Sequence, residues 1–414
     1  MKRVVVTGLG IVSPIGNNLE ESWTNAVNGV SGVGKLTLLD PPENCITIAA
    51  EVKNFDATKY FSNEKEVKRN QRFTHFAVGA AKMALENAGL TVNAANAADI
   101  GVAIGVGIGA LAYLEEQSLI AHTKGVKRVS PFTIPGFIAN MASGVVSMET
   151  GAKGPNICTT TACSSAGHAI GDALMYIQTG RAKAMICGGA ESALGLIAFA
   201  GFGQMKALCS DYQDEPQKAS RPFDKNRSGF IMGEGAGVLI VEEYEHAKAR
   251  GANILCELSG FGASGDAYHF TSPAPEGAGG AQAMQQALTT SGLRAEDIDY
   301  INAHGTSTGL NDLCETQAIK TVFGPHAYKL NVSSTKSMTG HLLGAAGGVE
   351  AVFTVMAMLK GIIPPTINYE TPDPECDLNY TPNKAVKREV RAALSNSFGF
   401  GGTNVCVAFK KFLP

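Results

Sequence analysis

The stretch Ile157-Cys158-Thr159-Thr160-Thr161-Ala162-Cys163-Ser164-Ser165-Ala166-Gly167-His168 decides how the chain is read. Gly154-Pro155 marks a turn, and the β-branched residues before Cys163 predict a strand. Beyond Cys163, apolar residues recur at Ala166, Ala169, Ile170, Ala173, Leu174 and Ile177, a spacing of three and four that predicts a helix with one buried stripe. Thr179-Gly180 ends it with a residue suited to left-handed dihedrals. Cys163 therefore sits where a strand turns into a helix, beside N–H groups without intrahelical partners. The positive end of the helix dipole favours a thiolate there, and the free N–H groups can receive an oxyanion. The competing reading is a small core cysteine.

Working outward, 414 residues can bury a large core and form two domains or one duplicated one. The 48 glycines exceed the usual share of about 7% without a collagen-like period, which implies many tight strand–helix turns. A net charge of −3 excludes a generally basic nucleic-acid binder. Nine cysteines, with no C-x-x-C pair and no metal-ligand histidine spacing, argue against disulfides or a zinc site and for a reducing compartment. Cys187, Cys256 and Cys406 lie in apolar runs and read as core. The run Val4–Val6 is broken by Thr7, Gly8, Gly10 and Pro14 too early for a signal peptide, so it reads as the first strand of a cytoplasmic protein.

Strands and helices alternate from there. Val4–Thr7 predicts a strand leading into Gly8-Leu9-Gly10, which lacks the third glycine and the acidic residue of a dinucleotide fingerprint. Glu64–Arg72 is charged, Phe73–Asn87 helical, and Ile100–Ile104 a strand followed by Gly105–Gly109. Ala184–Cys187 predicts a strand, Gly188-Gly189-Ala190-Glu191 a loop and Gly237–Glu242 a strand. Near Ala252 the pattern restarts, so the chain divides into residues 1–251 and 252–414. Gly347–Leu359 predicts an apolar helix whose Glu350, with Lys360 beyond it, argues against a membrane span.

The second part supplies partners for Cys163. His304 and His341 each follow a β-rich run and lie among Gly, Ser and Thr, the setting of a site at the carboxyl ends of strands. His75, His122, His246 and His326 read as surface, and His168 stays open between the two. The glycines of Phe398–Asn404 predict a turn that lets backbone approach a ligand.

Thr161-Ala162-Cys163-Ser164-Ser165, His304-Gly305-Thr306-Ser307-Thr308, Lys336-Ser337-Met338-Thr339-Gly340-His341 and Asn396–Asn404 together resemble the β-ketoacyl-[acyl-carrier-protein] synthases of the elongating type. Asp266-Ala267-Tyr268-His269 with Thr271-Ser272-Pro273 resembles their synthase II branch. The resemblance runs from Val4 to Phe412. It implies an α/β thiolase fold, five layers αβαβα built from two related halves, the first carrying the nucleophilic cysteine and the second both histidines, usually as a homodimer.

It also implies chemistry: decarboxylative condensation of malonyl-carrier protein with a Cys163-bound acyl chain. The Cys163 and Phe400 N–H groups would hold the tetrahedral oxyanion, and His304 and His341 the malonyl thioester oxygen. A buried Lys336–Glu315 ion pair would support the site. Thr306 and Thr308 would contact the phosphopantetheine arm of the carrier protein, Ile108 and Phe202 the acyl chain, and Lys65, Lys68, Arg69 and Lys206 the acidic carrier protein. No cofactor, metal, nucleic acid or membrane span is implied. Ser228, where the family has a carboxylate, and Gly309, where proline is common, depart from the pattern. The rival readings are a type II polyketide ketosynthase with the same chemistry and a non-catalytic partner subunit that shapes a chain-length tunnel. A cysteine hydrolase is disfavoured because nothing positions a water.

Overall fold

A computed structural model of the chain describes residues 1–43 and 45–413. Ten strands form one sheet: β1 (Val4–Val12), β2 (Ile100–Gly105), β3 (Asn156–Ile157), β4 (Ala184–Glu191), β5 (Gly235–Glu243), β6 (Cys256–Gly265), β7 (Tyr300–Asn302), β8 (Asn331–Ser333), β9 (Ala392–Gly399) and β10 (Thr403–Lys410). From the centre outward the first five run β1-β5-β4-β2-β3 and the other five β6-β10-β9-β7-β8, the same order displaced by five. Directions repeat as well. The two inner pairings on each side are antiparallel and the two outer ones parallel. At the centre β1 and β6 share two register pairs, Val5 with Glu257 and Val6 with Cys256.

Seven helices matter to the site: α1 (Arg72–Ala88), α2 (Leu111–Lys124), α3 (Met141–Thr150), α4 (Ser165–Gln178), α5 (Ala278–Ser291), α6 (Gly309–Phe323) and α7 (Ala346–Lys360). Helix α1 covers the outer face of β1, β4 and β5, and α5 covers β6 and β10. Helices α4 and α7 touch each other and strands of both sets, which makes five layers with α4 and α7 in the middle. The core divides accordingly: one apolar cluster lies around α4 and α7, one under α1 and α3, and one under α5 and α6. Leu343–Lys360 is long and apolar enough to cross a membrane, yet it is the buried central helix.

Several expectations shift. The strand expected over Val4–Thr7 continues to Val12, with Gly8 and Gly10 inside it. Helix α1 lies directly on these glycines, and a Cβ at Gly10 would stand 1.9 Å from the Ala80 carbonyl oxygen. Gly188–Glu191, read as a loop, is the end of β4, paired in register with Gly235–Val238. The strand expected before Cys163 shrinks to Asn156–Ile157. Helices α2 and α6 fall in stretches without a single apolar stripe. Of the histidines read as surface, His122 is exposed, whereas His75, His246 and His326 are half-buried. Each of those three has a partner: Val67 O at 2.9 Å, Glu242 at 2.7 Å and Ile298 O at 3.0 Å respectively.

Candidate active site

Cys163 lies in a 3₁₀ turn, Ala162–Ser164, that leads into α4. Ala162 adopts φ 51°, a left-handed conformation that costs a residue with a Cβ about 1–2 kcal/mol. The surroundings hold it there. Ser165 Oγ accepts from the Thr161 N–H at 2.9 Å and donates to Ala162 O at 2.6 Å. Ser164 Oγ reaches the carbonyls of Ser397 (3.0 Å) and Thr403 (2.6 Å), and Thr403 Oγ1 donates to Thr161 O at 3.0 Å. The cysteine turn is thus bolted to the β9–β10 hairpin. A Cβ at Gly399 would lie 2.5 Å from Thr403 Oγ1 and 2.7 Å from Thr161 O, so this close approach needs glycine. The expected glycine turn narrows to Phe400-Gly401-Gly402, because Phe398-Gly399 and Thr403-Asn404 belong to the strands. The Phe400 N–H lies near enough to the Cys163 thiol to favour its charged form.

His341 Nε2 stands 3.0 Å from Cys163 Sγ. The Leu343 N–H donates to His341 Nδ1 at 3.3 Å, which leaves the proton on Nε2. Lys336 fixes His304 in the same way. Its ammonium donates to His304 Nδ1 at 3.3 Å and to His304 O at 2.6 Å, so His304 also carries its proton on Nε2. The two rings lie 5.3 Å apart at 84°. Burial pulls both histidines well below their ordinary range, and the Lys336 charge adds to it. Both are neutral near pH 7. Two neutral Nε2–H donors therefore stand beside one thiol.

The thiol itself departs from expectation. Burial pushes Cys163 up to about 12, against the opposing pull of the Lys336 charge and the Phe400 N–H. Desolvation outweighs the helix start, so the resting group is a thiol and not the expected thiolate. The Lys336 ion pair also changes partner. Lys336 is buried against Glu350 of α7, not against Glu315. Both Glu315 oxygens are already engaged: they accept the His304 and Gly305 N–H groups at 2.8 Å each, and Asn396 Nδ2 donates at 3.1 Å. Glu315 props the His304 loop, and burial pushes its carboxyl up to about 7.

A cavity of about 660 Å³ opens over Cys163, His304 and His341. Ile108, Phe202, Phe400, Thr306, Thr308 and Lys206 line it, so these expected residues are brought together. The Thr306 and Thr308 hydroxyls bond each other at 2.9 Å. Lys65, Lys68 and Arg69 sit apart on the surface helix Glu64–Arg69. There Lys68 pairs with Glu64 at 3.8 Å, while Arg69 pairs with Glu66 at 2.8 Å and stacks on Phe132. His168 stays outside the cavity lining and lies within 2.9 Å of Thr161 Oγ1, where it steadies the cysteine turn. At the Gly309 departure, Arg227 donates to the Thr308 and Gly309 carbonyls at 3.2 and 2.9 Å, while Asp373 accepts from it at 2.6 Å. The clamp stiffens the loop that a proline would stiffen elsewhere. Ser228 Oγ lies 3.2 Å from Cys209 Sγ.

Sequence reading missed two further features. Glu191, at the end of β4, is fully buried beneath Gly107–Gly109; only its contacts 82 and more residues away reveal it. Behind Lys336, Asn302 Oδ1, Glu350 Oε2, Ser395 Oγ and Asn396 Oδ1 are buried without hydrogen-bond partners among the described residues. Ser395 faces Asn302 across the β9–β7 ladder, and Asn302 donates to Glu350 O. These oxygens are the residues that could hold a hard cation. No cluster of three His, Cys, Asp or Glu suited to a transition metal occurs among the described residues.

Comparison with known proteins places this geometry. Residues 1–247 match the model of the beta-ketoacyl synthase N-terminal domain and residues 255–370 that of the C-terminal domain. A 3-oxoacyl-[acyl-carrier-protein] synthase 2 of Synechocystis sp. is 55% identical over 99% of this chain and 98% of that protein. One of Staphylococcus aureus is 49% identical over 99% of both. Among solved structures, a beta-ketoacyl synthase from Burkholderia phymatum superposes with a TM-score of 0.93 at 35% identity, covering all of both chains. A type II PKS ketosynthase, solved with its acyl-carrier protein and bound to the hexaketide, gives 0.92 at 34% over all of both chains. With both domain models matched in order and relatives aligned end to end, the chain belongs to the beta-ketoacyl synthase family, and its architecture is the thiolase fold of that family.

Proposed function

We propose that the chain is an elongating 3-oxoacyl-[acyl-carrier-protein] synthase that condenses malonyl-carrier protein with an acyl group held on Cys163. The observation that carries this reading is the pair of buried, neutral Nε2–H donors beside the thiol, with His341 at 3.0 Å. Enolate formation needs donors aimed at one oxygen where charge develops, and neutral imidazoles supply them without a proton transfer.

Cys163 attacks the acyl thioester, and the carrier thiol leaves with the proton. The tetrahedral oxyanion faces the N–H groups of Phe400 and Cys163. Malonyl-carrier protein then loses CO₂, and the electron pair of the broken C–C bond moves onto the thioester oxygen between His304 and His341. The resulting carbanion attacks the Cys163 thioester, a C–C bond forms, and the sulfur leaves and regains a proton from solvent. The products are 3-oxoacyl-carrier protein, free carrier protein and CO₂. Lys336, anchored by Glu350, holds the His304 tautomer. Thr306 and Thr308 contact the phosphopantetheine arm, and Ile108 and Phe202 the acyl chain.

The acidic carrier protein docks through Lys65, Lys68, Arg69 and Lys206. The same reading takes residues 1–251 and 252–414 as the two halves, the enzyme as a cytoplasmic homodimer, and the reaction as needing no resident cofactor. The 55% identity to a 3-oxoacyl-[acyl-carrier-protein] synthase 2, against 34% to the polyketide ketosynthase, favours fatty-acid elongation over polyketide assembly. A chain-length partner subunit needs no nucleophile, and Cys163 argues against it. The test is a product assay with malonyl-carrier protein and acyl-carrier proteins of several lengths. One elongation per malonyl group and an acyl adduct on Cys163 are expected. An adduct on Cys158 or Cys187 instead sinks the proposal.

A further inference from the structure

We propose that Glu191 is a positioning residue for the acyl chain: it locks the pocket wall at Gly107–Gly109 to the segment that follows His341. The inference rests on the acyl-transfer reading above. Glu191 ends β4 with no exposed surface. Its carboxylate accepts the N–H groups of Gly107 at 2.8 Å, Ile108 at 3.1 Å, Gly109 at 2.6 Å and Gly344 at 3.0 Å. Among the described residues its hydrogen bonds all come from backbone N–H groups, and no lysine, arginine or histidine pairs with it. A buried carboxylate without a counter-ion is costly; four N–H dipoles offset part of that cost, and burial still pushes the carboxyl up to about 7.

The backbone around it is pressed together. A Cβ at Gly344 would lie 2.1 Å from the Gly107 nitrogen, and one at Gly107 would lie 2.7 Å from Glu191 Oε2. Ile108, held between these bonded glycines, lines the cavity and packs in one apolar cluster with Cys163, Phe202 and Leu343. Leu343 precedes Gly344, adopts φ 49°, and gives its N–H to His341 Nδ1. One carboxylate therefore spans two walls of the pocket and the tether of a catalytic histidine. The backbones that carry Ile108 and Leu343 are held together by these four bonds, so the two side chains line the pocket from a common anchor. An apolar pocket discriminates one methylene by about 10- to 200-fold at most, and looser walls lower that figure.

The test uses the full-length enzyme and the variants Glu191→Gln and Glu191→Asp, with rates normalised to titratable Cys163. Transfer onto Cys163 is measured for acyl-carrier proteins of increasing chain length. The amide of Glu191→Gln presents donors to N–H groups, so the ratio of kcat/KM between the best and the worst chain should shrink by about tenfold. Glu191→Asp keeps the carboxyl group with its two acceptor oxygens and should retain more of the ratio. Hydrogen exchange at the Gly107–Gly109 and Gly344 amides should accelerate in Glu191→Gln while α4 stays protected. A uniform fall at every chain length, or an unchanged profile, overturns the proposal, since a purely structural role predicts that. Should Glu191→Gln not fold, Glu191→Asp carries both measurements. A parent enzyme that transfers no acyl group defeats the acyl-transfer reading, and the exchange measurement still decides the tie.

Discussion

Two loops leave corresponding strands of the two halves, and they serve different ends. The loop after β2 runs through Gly107–Gly109 and presents Ile108; the loop after β7 presents His304. Each is held by a fully buried glutamate that accepts successive backbone N–H groups, Glu191 in one case and Glu315 in the other. Burial pushes both carboxyls up to about 7. The difference lies in where the glutamate comes from and what it borders. Glu191 comes from a strand and reaches across to Gly344, whereas Glu315 comes from α6, which starts just after its own loop. The scaffold repeats the device, and the side chain presented differs: an apolar Ile108 on one loop, a neutral His304 on the other.

The largest effect should come from removing the two Nε2–H donors, one of which, His304, the β7 loop presents. His304→Ala and His341→Ala should each lower malonyl decarboxylation by about 10²–10³-fold, the usual cost of one donor at a developing oxyanion. Acyl transfer to Cys163, followed by mass spectrometry, should persist. If both variants fail only at acylation, the histidines act as bases and the enolate role is wrong.

A smaller effect sharpens the contrast between the glutamates. Glu315→Gln should slow decarboxylation more than acyl transfer and leave the chain-length profile alone. A changed profile means that the two carboxylates do not divide the work. This variant also tests the charge. A carboxyl raised from 4.5 to about 7 favours folding below pH 4.5, and that contribution is lost as pH rises to about 7. Thermal unfolding of the parent minus that of Glu315→Gln should therefore decline between pH 5 and pH 7.5. A flat difference removes the burial argument.

The smallest effect lies farthest from both loops. Lys65→Glu with Arg69→Glu should raise the KM for acyl-carrier protein and flatten its salt dependence, with kcat on small thioesters nearly unchanged. Equal KM values for parent and variant mean that this helix is only a solvated surface.

Much of this was legible in the residue order because the chemistry sits beside punctuation. Cys163 follows a turn and opens a striped helix, and both histidines follow short β-rich runs, so local periodicity was enough to find them. What failed was long-range. Lys336 has two buried glutamates within reach of any linear reading, and only packing shows that the histidine loop occupies Glu315 while α7 delivers Glu350. Glu191 was hidden in a glycine-rich tetrapeptide that looks like a loop until β5 pairs with it. The thiolate expectation weighed the helix end but not the desolvation, which is a property of everything packed above it. Helix α2 buries only Gln117 and α6 buries Asp312, Glu315 and Thr316 among its apolar residues, so neither sequence carries a clean apolar stripe.

The seam between β1 and β6 has only two register pairs, so the sheet itself scarcely fixes the angle at which the halves meet. Side-chain packing of α4 against α7 sets it instead. The thiol rides on the first half and its two donors on the second, so the sulfur–nitrogen distance works as a protractor for that angle. A small rocking motion about the seam, harmless to either half alone, displaces the two Nε2–H donors from the sulfur. Misplacement by an ångström costs on the order of a hundredfold in rate. Substitutions deep in the central helices can thus silence the enzyme while every residue of the site remains present and folded.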